Sequence, residues 1–373
     1  MEARLLRLLT QAVSARVFPG AVAGIALGPP AQRWEAIVTA GHLTYPPPAS
    51  PAVTPETVFD LASLTKPLAT TLAVLALIKS GLITLESTLP ELLRRPIPQA
   101  MARITLRHLL AHSSGLPAHR PYFQTLRDIA PNERRERLLA WILEERLIAP
   151  PGQVACYSDL GFLLLGWMVE IQSGLPLDRF VAETIYHPWG LEENLFFRPL
   201  PPGPDEGRIF APSEQCPWRQ TLLSGVVHDD NGYVLGGVAG QAGLFGDMRG
   251  VLSLGVRLLD LRQGRGEHPA LRADDLRRAL RREGSVPGSG WGLGFDTPAA
   301  AGSSAGRYLA PESFGHLGFT GVSLWIDPGK ELVLVLLCHR VHPSRDNPRI
   351  KPFRPLFHDT ILEALGLANS PGG

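Results

Sequence analysis

Short β-rich runs occur near the two ends of this chain, and most of what lies between them is patterned for helix. That distribution constrains the fold more than any single motif. An economical assembly pairs the strands from both ends in one sheet and adds the middle to it as an insertion. At the front, MEARLLRLLTQAVSA carries Leu5, Leu8, Leu9 and Ala12 on one helical face. Runs at 21–27 and 34–40 follow, joined by GPPAQR, and they read as a hairpin. At the back, WGLGFDT, FGHLGFTGVSLWID and ELVLVLLCHR restore the β pattern from Gly290, and Asp327-Pro-Gly-Lys330 supplies turn chemistry between the last two. PLFHDTILEALGL (355–367) reads as a closing helix. The middle holds helical patterns at 104–112, 132–147, 159–174 and 251–264, separated by Pro/Gly loops such as 198–207. The predicted fold class is α+β. Segments 1–82 and 285–373 form an antiparallel sheet flanked by helices, and 83–284 forms an inserted, mostly helical lobe. A cleft between two lobes is a usual place for a small-molecule site.

Bulk properties narrow the function classes. At 373 residues, with 45% hydrophobic and 19% charged residues, the chain can bury a large core. A formal net charge of +1 gives no electrostatic case for nucleic acid or an acidic membrane, so the expected partner is a small-molecule substrate. Nothing in the sequence specifies an oligomeric state. The cysteines, Cys156, Cys216 and Cys338, fit neither a disulfide framework nor a zinc pattern, and no metal or other cofactor is expected. Charges at positions 2, 4, 7 and 16 make the N-terminus an amphipathic helix rather than a signal peptide. The apolar run from Leu68 to Ile78 is shorter than the ~20 residues a membrane helix needs. A cytoplasmic protein is expected.

The stretch FDLASLTKPL (59–68) sets Ser63 and Lys66 three residues apart at the head of an apolar helix. Residues so spaced are neighbours on a helix. Pro67 is tolerated only in a first turn, and Gly81 suits the C-terminal stop. A serine hydroxyl becomes nucleophilic when a base takes its proton, and a lysine serves when burial or a second cation lowers its pKa. Taken alone, the pair reads more readily as a helix cap beside a snorkelling lysine.

Two further motifs reverse that order. ACYSDLGF (155–162) puts Tyr157 and Asp159 just ahead of a helix, and SFGHLGFTG (313–321) puts His316 and Gly318 on an inner strand. S-x-x-K, then Y-x-[ND], then H-x-G, in this order, resembles the serine β-lactamase and penicillin-binding-protein superfamily, in its class C β-lactamase, esterase and D-aminopeptidase branch. The resemblance spans nearly the whole chain and includes ITLRHLLAHSSGLP (104–117) and VAGQAGLFG (238–246). It implies a serine hydrolase in which Ser63 is acylated. Lys66 and Tyr157 would share the base role, with the Lys66 cation lowering the tyrosine pKa. The backbone N–H groups of Ser63 and Phe319 would form the oxyanion hole, and Gly318 would keep the strand bare for substrate. No E-x-x-L-N glutamate motif is present, so Tyr157 would also activate the deacylating water. Departures matter too. Asp159 stands where β-lactam-recognising members carry asparagine, Leu317 where many carry threonine, and His316 where K-T-G has lysine. These argue for an esterase, amidase or peptidase rather than an efficient β-lactamase. A muropeptide amidase, a D-Ala-D-Ala carboxypeptidase-type activity or a true β-lactamase is an alternative within the class, and a non-catalytic binding protein an alternative outside it.

Other candidates are weaker. His228-Asp229-Asp230-Asn231 reads as loop structure, with a place at the edge of the substrate site as the alternative. His119 is a candidate for lining the cleft and His112 reads as structural. Segment 339–351 is expected to be a solvated connector or a wall of the cleft. Trp189, Trp218 and Trp291 read as packing, with Trp218 the one to consider as a substrate platform. Loops 115–125 and 205–245 are expected to shape the acyl pocket.

Overall fold

The computed structural model describes residues 1–45 and 50–368; positions 46–49 of the Pro-rich connection 45–55 lie outside the described residues. Its centre is a five-stranded antiparallel sheet built from both ends of the chain. The strands are β1 (Gly20–Leu27), β2 (Trp34–Gly41), β3 (Phe314–Leu317), β4 (Ser323–Asp327) and β5 (Leu332–Cys338), in the order β2-β1-β5-β4-β3. The front hairpin pairs Leu27 with Trp34 and Gly20 with Gly41, and its other edge pairs Ala21 with Cys338 and Leu27 with Leu332.

β5 is apolar throughout because both of its faces are covered. Leu332, Leu334, Leu336 and Cys338 join a core with Leu5, Leu9 and Ala12 of the helix Glu2–Ser14 and with Phe353 and Phe357 of the helix Ile350–Ala364. Val333, Val335 and Leu337 face the opposite core, which contains the helix Met248–Arg262 and runs on into the helical lobe. Each such leucine withdrawn from water stabilises the fold by ~1.5–3 kcal/mol.

Three sequence expectations need correction. The helix Met248–Arg262 falls inside the segment assigned to the helical lobe, yet it packs on the sheet. Glycines permit the approach: a Cβ at Gly255 would lie 2.8 Å from Val333 Cγ1, and one at Gly24 would collide with Met248. WGLGFDT is not a strand. It turns back at Gly294, where φ is +78° and Thr71 fills the space a side chain would need, and only Asp296 bridges to Gly315 of β3. The closing helix begins at Ile350, ahead of the expected Pro355, which lies inside it.

The apolar segment Ala62–Lys79 is long and apolar enough to cross a membrane, but 83% of it is buried within the protein. It is a core helix, with Leu64, Leu68, Leu72 and Leu75 in the main hydrophobic cluster.

Candidate active site

Ser63 lies at the head of that core helix, in a 3₁₀ turn (Ala62–Leu64) that widens into a π-helical turn (Lys66–Thr71) before regular α-helix begins at Leu72. Lys66 is fully buried while Ser63 is partly exposed. The expected pair is formed: Lys66 Nζ lies 3.0 Å from Ser63 Oγ. The ammonium also donates to the Gln241 carbonyl at 3.1 Å and pairs with Asp159 Oδ1 at 2.7 Å. Its donors are then all engaged. Ala62, just before the serine, has a positive φ of +46°, a strained conformation for a residue with a side chain. The buried Asp60 holds it there: Oδ1 accepts from Ala62 N at 2.8 Å, and Oδ2 accepts from His228 N at 2.6 Å.

Tyr157 reaches the same point from the turn before the helix Asp159–Ser173. That turn is fixed by its own polar residues. Ser158 N donates to His112 Nδ1 (3.0 Å), Ser158 Oγ donates to the Pro117 carbonyl (2.7 Å) and accepts from Gly161 N (3.3 Å), and Asp159 N donates to the Ala118 carbonyl (2.9 Å). The tyrosine ring packs on Trp291 (5.3 Å between centroids) and His112 (4.7 Å), and Lys66 Nζ lies 4.8 Å from its centroid. Its hydroxyl faces Lys66 and Ser63, both of which favour the ionised phenol.

The H-x-G strand completes the cluster. A Cβ at Gly318 would lie 2.8 Å from the Leu61 carbonyl, so the strand end can rest against the turn that carries Ser63 only as glycine. Thr320 Oγ1 donates to the Asp60 carbonyl at 2.8 Å, tying the two segments together. Phe319 is 51% exposed, and its ring packs against His228 (5.6 Å) and the Arg340 guanidinium (4.2 Å). His316 is buried. Its Nδ1 donates to the Leu317 carbonyl at 2.7 Å, which leaves Nε2 as a bare acceptor with no partner among the described residues. Burial, reinforced by the Lys66 charge, depresses its pKa to about 3, so His316 supplies no positive charge at neutral pH.

The electrostatics correct one expectation. Burial alone would pull the Lys66 pKa down, but the Asp159 carboxylate and the Tyr157 hydroxyl hold it above the ordinary lysine value. Burial pushes the Tyr157 phenol up; Lys66 pulls it down and Asp159 pushes it up again, and the net shift is upward. The expected lowering of the tyrosine pKa is therefore absent: burial outweighs the pull of the Lys66 cation, and Asp159 adds to the upward push. Burial works against the Asp159 charge, yet Lys66 and His119 hold that carboxyl well below its usual range. His119 is exposed, with Nδ1 3.4 Å from Asp159 Oδ2.

The remaining candidates sort cleanly. Asp229 caps the short helix Asp230–Val234, and Asn231 accepts from Phe123 N and donates to the Arg120 carbonyl, joining loop 115–125 to loop 205–245. His228 Nε2 lies 3.2 Å from Glu214 Oε2. Segment 339–351 is anchored rather than solvated: Arg345 pairs with Glu214 (2.6 Å) and Asp230 (2.9 Å). Trp218 is not a free platform, since its Nε1 donates to Asp230 at 3.0 Å and its ring packs on Phe123. Trp189 packs on His268. Trp291, read as packing, lies over Tyr157 and His316 and belongs to the site. Gln241 and Asp60 were not singled out from sequence. The Gly-rich string around Gln241 was the available signal: Gly240 abuts Gly166 of the helix Asp159–Ser173 that follows Tyr157, and its carbonyl accepts from Thr70 at 2.7 Å. A side chain at Gly240 would collide with the Phe162 carbonyl. Gly240→Ala is therefore expected to destabilise the protein by ~1–3 kcal/mol, read as a lower Tm in calorimetry.

A family model described as Beta-lactamase matches residues 7–358. A putative D-alanyl-D-alanine carboxypeptidase of Escherichia coli (strain K12) is 30% identical over 322 residues, covering 80% of this chain and 73% of the relative. A protein of the same description from Salmonella agona (strain SL483) is 30% identical over 321 residues, with the same coverage. Among solved structures, EstCE1, a hydrolase with promiscuous acyltransferase activity, superposes with a TM-score of 0.69 at 22% identity, covering 95% of this chain and 98% of that one. The octameric penicillin-binding protein homologue from Pyrococcus abyssi gives 0.71 at 18% identity, over 98% and 77% of the respective chains.

Proposed function

Because the chain belongs to the β-lactamase family of serine hydrolases, we propose that it hydrolyses small esters or amides lacking a free carboxylate, through an acyl-enzyme at Ser63. The observation that carries this reading is the contact of Lys66 Nζ with Ser63 Oγ at 3.0 Å inside a buried site that also holds Tyr157. Lys66, held cationic by Asp159, is a poor base. It orients Ser63 and favours the developing oxyanion, and Tyr157 in its ionised form, which the Lys66 cation favours, takes the proton. As the Ser63 O–C bond forms, the proton passes through Tyr157 to the leaving group when the C–O or C–N bond breaks. Water, deprotonated by Tyr157, then bonds to the acyl carbon, and the Ser63 O–C bond breaks as Tyr157 returns the proton to Ser63 Oγ. The N–H groups of Ser63 and Phe319 stabilise each tetrahedral oxyanion.

The substrate restriction rests on charge. Carboxypeptidase or β-lactamase chemistry on carboxylate-bearing substrates calls for a cation beside the H-x-G strand. His316, which stands in the place of the lysine on that strand, is neutral; Arg340 and Arg354 keep their charge but direct N–H groups to backbone carbonyls, Phe319 at 2.8 Å and Gly318 at 2.6 Å respectively. A panel of p-nitrophenyl acetate, a chromogenic cephalosporin and a D-Ala-D-Ala peptide tests the reading. The expected order puts the ester first by at least ~100-fold in kcat/KM, the scale of two missing charge-assisted contacts. Fast turnover of the cephalosporin or the peptide would contradict it. We also propose a cytoplasmic location, supported by the free thiols Cys156, Cys216 and Cys338.

With Tyr157 as base and its pKa raised, kcat/KM is expected to climb into the alkaline range. Asp159→Asn removes a negative charge that favours the protonated phenol. The ascending limb of the pH–rate profile should move to lower pH by ~1 unit, and a limb that stays put or moves upward would rule out Tyr157 as the titrating group.

A further inference from the structure

Arg354, on the helix Ile350–Ala364, is a buried cation without an acid beside it. No carboxylate pairs with it among the described residues. Its Nη2 donates to the carbonyls of Gly318 at 2.6 Å and Val322 at 3.0 Å, and its Nε has no partner among those residues. Taking a charge out of water without a counter-charge is costly. Burial does pull the Arg354 pKa down, to about 10, which leaves it charged at neutral pH. Satisfying backbone carbonyls does not account for that charge, because both already have a backbone donor. Gly318 O accepts from Gly321 N at 3.1 Å, and Val322 O accepts from Gly318 N at 2.8 Å. A neutral residue at 354 would leave neither of them unpaired.

The peptide group that Arg354 touches suggests what the charge does. Gly318 C=O and Phe319 N–H belong to one planar unit and point in opposite directions. Phe319 N–H, the donor read above as half of the oxyanion hole, has no acceptor among the described residues. A cation held on the oxygen of a peptide group polarises it and makes its N–H a stronger donor. The same contact fixes the plane of the peptide before the reaction begins, so that no reorganisation is needed as charge develops. Arg340 bonds the Phe319 carbonyl at 2.8 Å and so acts on the next peptide group, whose N–H belongs to Thr320. The Arg354 charge is felt at the wall of the site, where it helps to keep His316 neutral.

We infer that Arg354 is a positioning residue for the oxyanion: its positive charge, acting through the Gly318–Phe319 peptide group, stabilises the negative oxygen of the tetrahedral intermediates formed at Ser63. This rests on the Ser63 acyl-enzyme reading and adds a residue to its machinery. The substrate carbonyl carries little negative charge before Ser63 attacks, so the effect falls on the transition state rather than on binding. Acylation and deacylation both pass through such an intermediate, and loss of the charge therefore belongs in kcat.

Three variants separate charge from packing: Arg354→Gln and Arg354→Met are neutral, and Arg354→Lys keeps the charge and can donate to both carbonyls from one nitrogen, as Nη2 does. With p-nitrophenyl acetate, the neutral variants are expected to lose at least ~10-fold in kcat, less than the ~10²–10³-fold cost of a whole oxyanion donor. KM should stay within about threefold of wild type, and so should kcat of Arg354→Lys. Phenylboronic acid reports the same charge without turnover. Ser63 Oγ bonds to boron, the hydroxyl proton leaves, and the boron becomes a tetrahedral anion. Its Ki should rise in Arg354→Gln by the factor by which kcat/KM falls, while that of neutral benzamide holds. Equal weakening of the two ligands would mark a structural role and overturn the inference. Folded neutral variants with wild-type kcat would overturn it as well. Should neither neutral variant fold, a folded Arg354→Lys slower than wild type by about tenfold or more contradicts the role of charge. A wild type that takes no fluorophosphonate label overturns instead the acyl-enzyme reading beneath it.

Discussion

Ser63→Ala is expected to lower ester turnover at least ~10⁴-fold, because removing the nucleophile of an acyl-transfer site leaves only binding and oxyanion stabilisation. The fold should survive. The hydroxyl's protein contacts are within the catalytic cluster, to Lys66 at 3.0 Å and to Tyr157, so little packing is lost. The strained turn at Ala62 is held by Asp60 rather than by the serine. Steady-state kinetics with p-nitrophenyl acetate, alongside an unchanged circular dichroism spectrum, measures this. Residual activity within tenfold of wild type in a folded protein would remove Ser63 from the chemistry.

The second large effect belongs to Tyr157→Phe. Loss of a general acid–base group typically costs ~10²–10⁴-fold in rate. Phenylalanine keeps the ring between Trp291 and His112, at centroid distances of 5.3 and 4.7 Å, so the substitution removes the hydroxyl and little else. The fall should appear in kcat, with KM moving little. It separates two assignments of the base. If Lys66 were the base, Tyr157→Phe would leave most of the rate, and the alkaline climb of the wild-type profile would persist in the variant. With Tyr157 as base, the rate falls and the climb goes with it.

How much of this was legible in the sequence follows from how local each determinant is. Ser63 and Lys66 are three residues apart, and the rules of the first helical turn sufficed to bring them into contact. β5 could be read because each of its residues is apolar, and that is the consequence of cores on both faces. The pairing of the front hairpin with the back strands followed from the only assembly that leaves neither half alone. What escaped was set by distance along the chain. Asp159 was singled out as a departure, but its contact with Lys66 at 2.7 Å depends on how the helical lobe docks against the core helix. Burial sets the sign of the tyrosine shift, and the Asp159 charge adds to it. Asp60 joins Ala62, His228 and Thr320, and nothing near it in sequence announces those partners. The helix Met248–Arg262 was assigned to the wrong layer because amphipathic pattern shows that a face is buried without showing against what. WGLGFDT carried a strand-like composition, and Gly294 folded it into a turn.

The central claim is that a covalent bond forms at Ser63. Intact-mass spectrometry after treatment with a fluorophosphonate probe tests it most directly, followed by peptide mapping of the adduct and the same treatment of Ser63→Ala. One adduct per wild-type chain, on the peptide holding Ser63, with an unlabelled Ser63→Ala, is the expected result. An unlabelled wild type, or equal labelling of the two proteins, would contradict it.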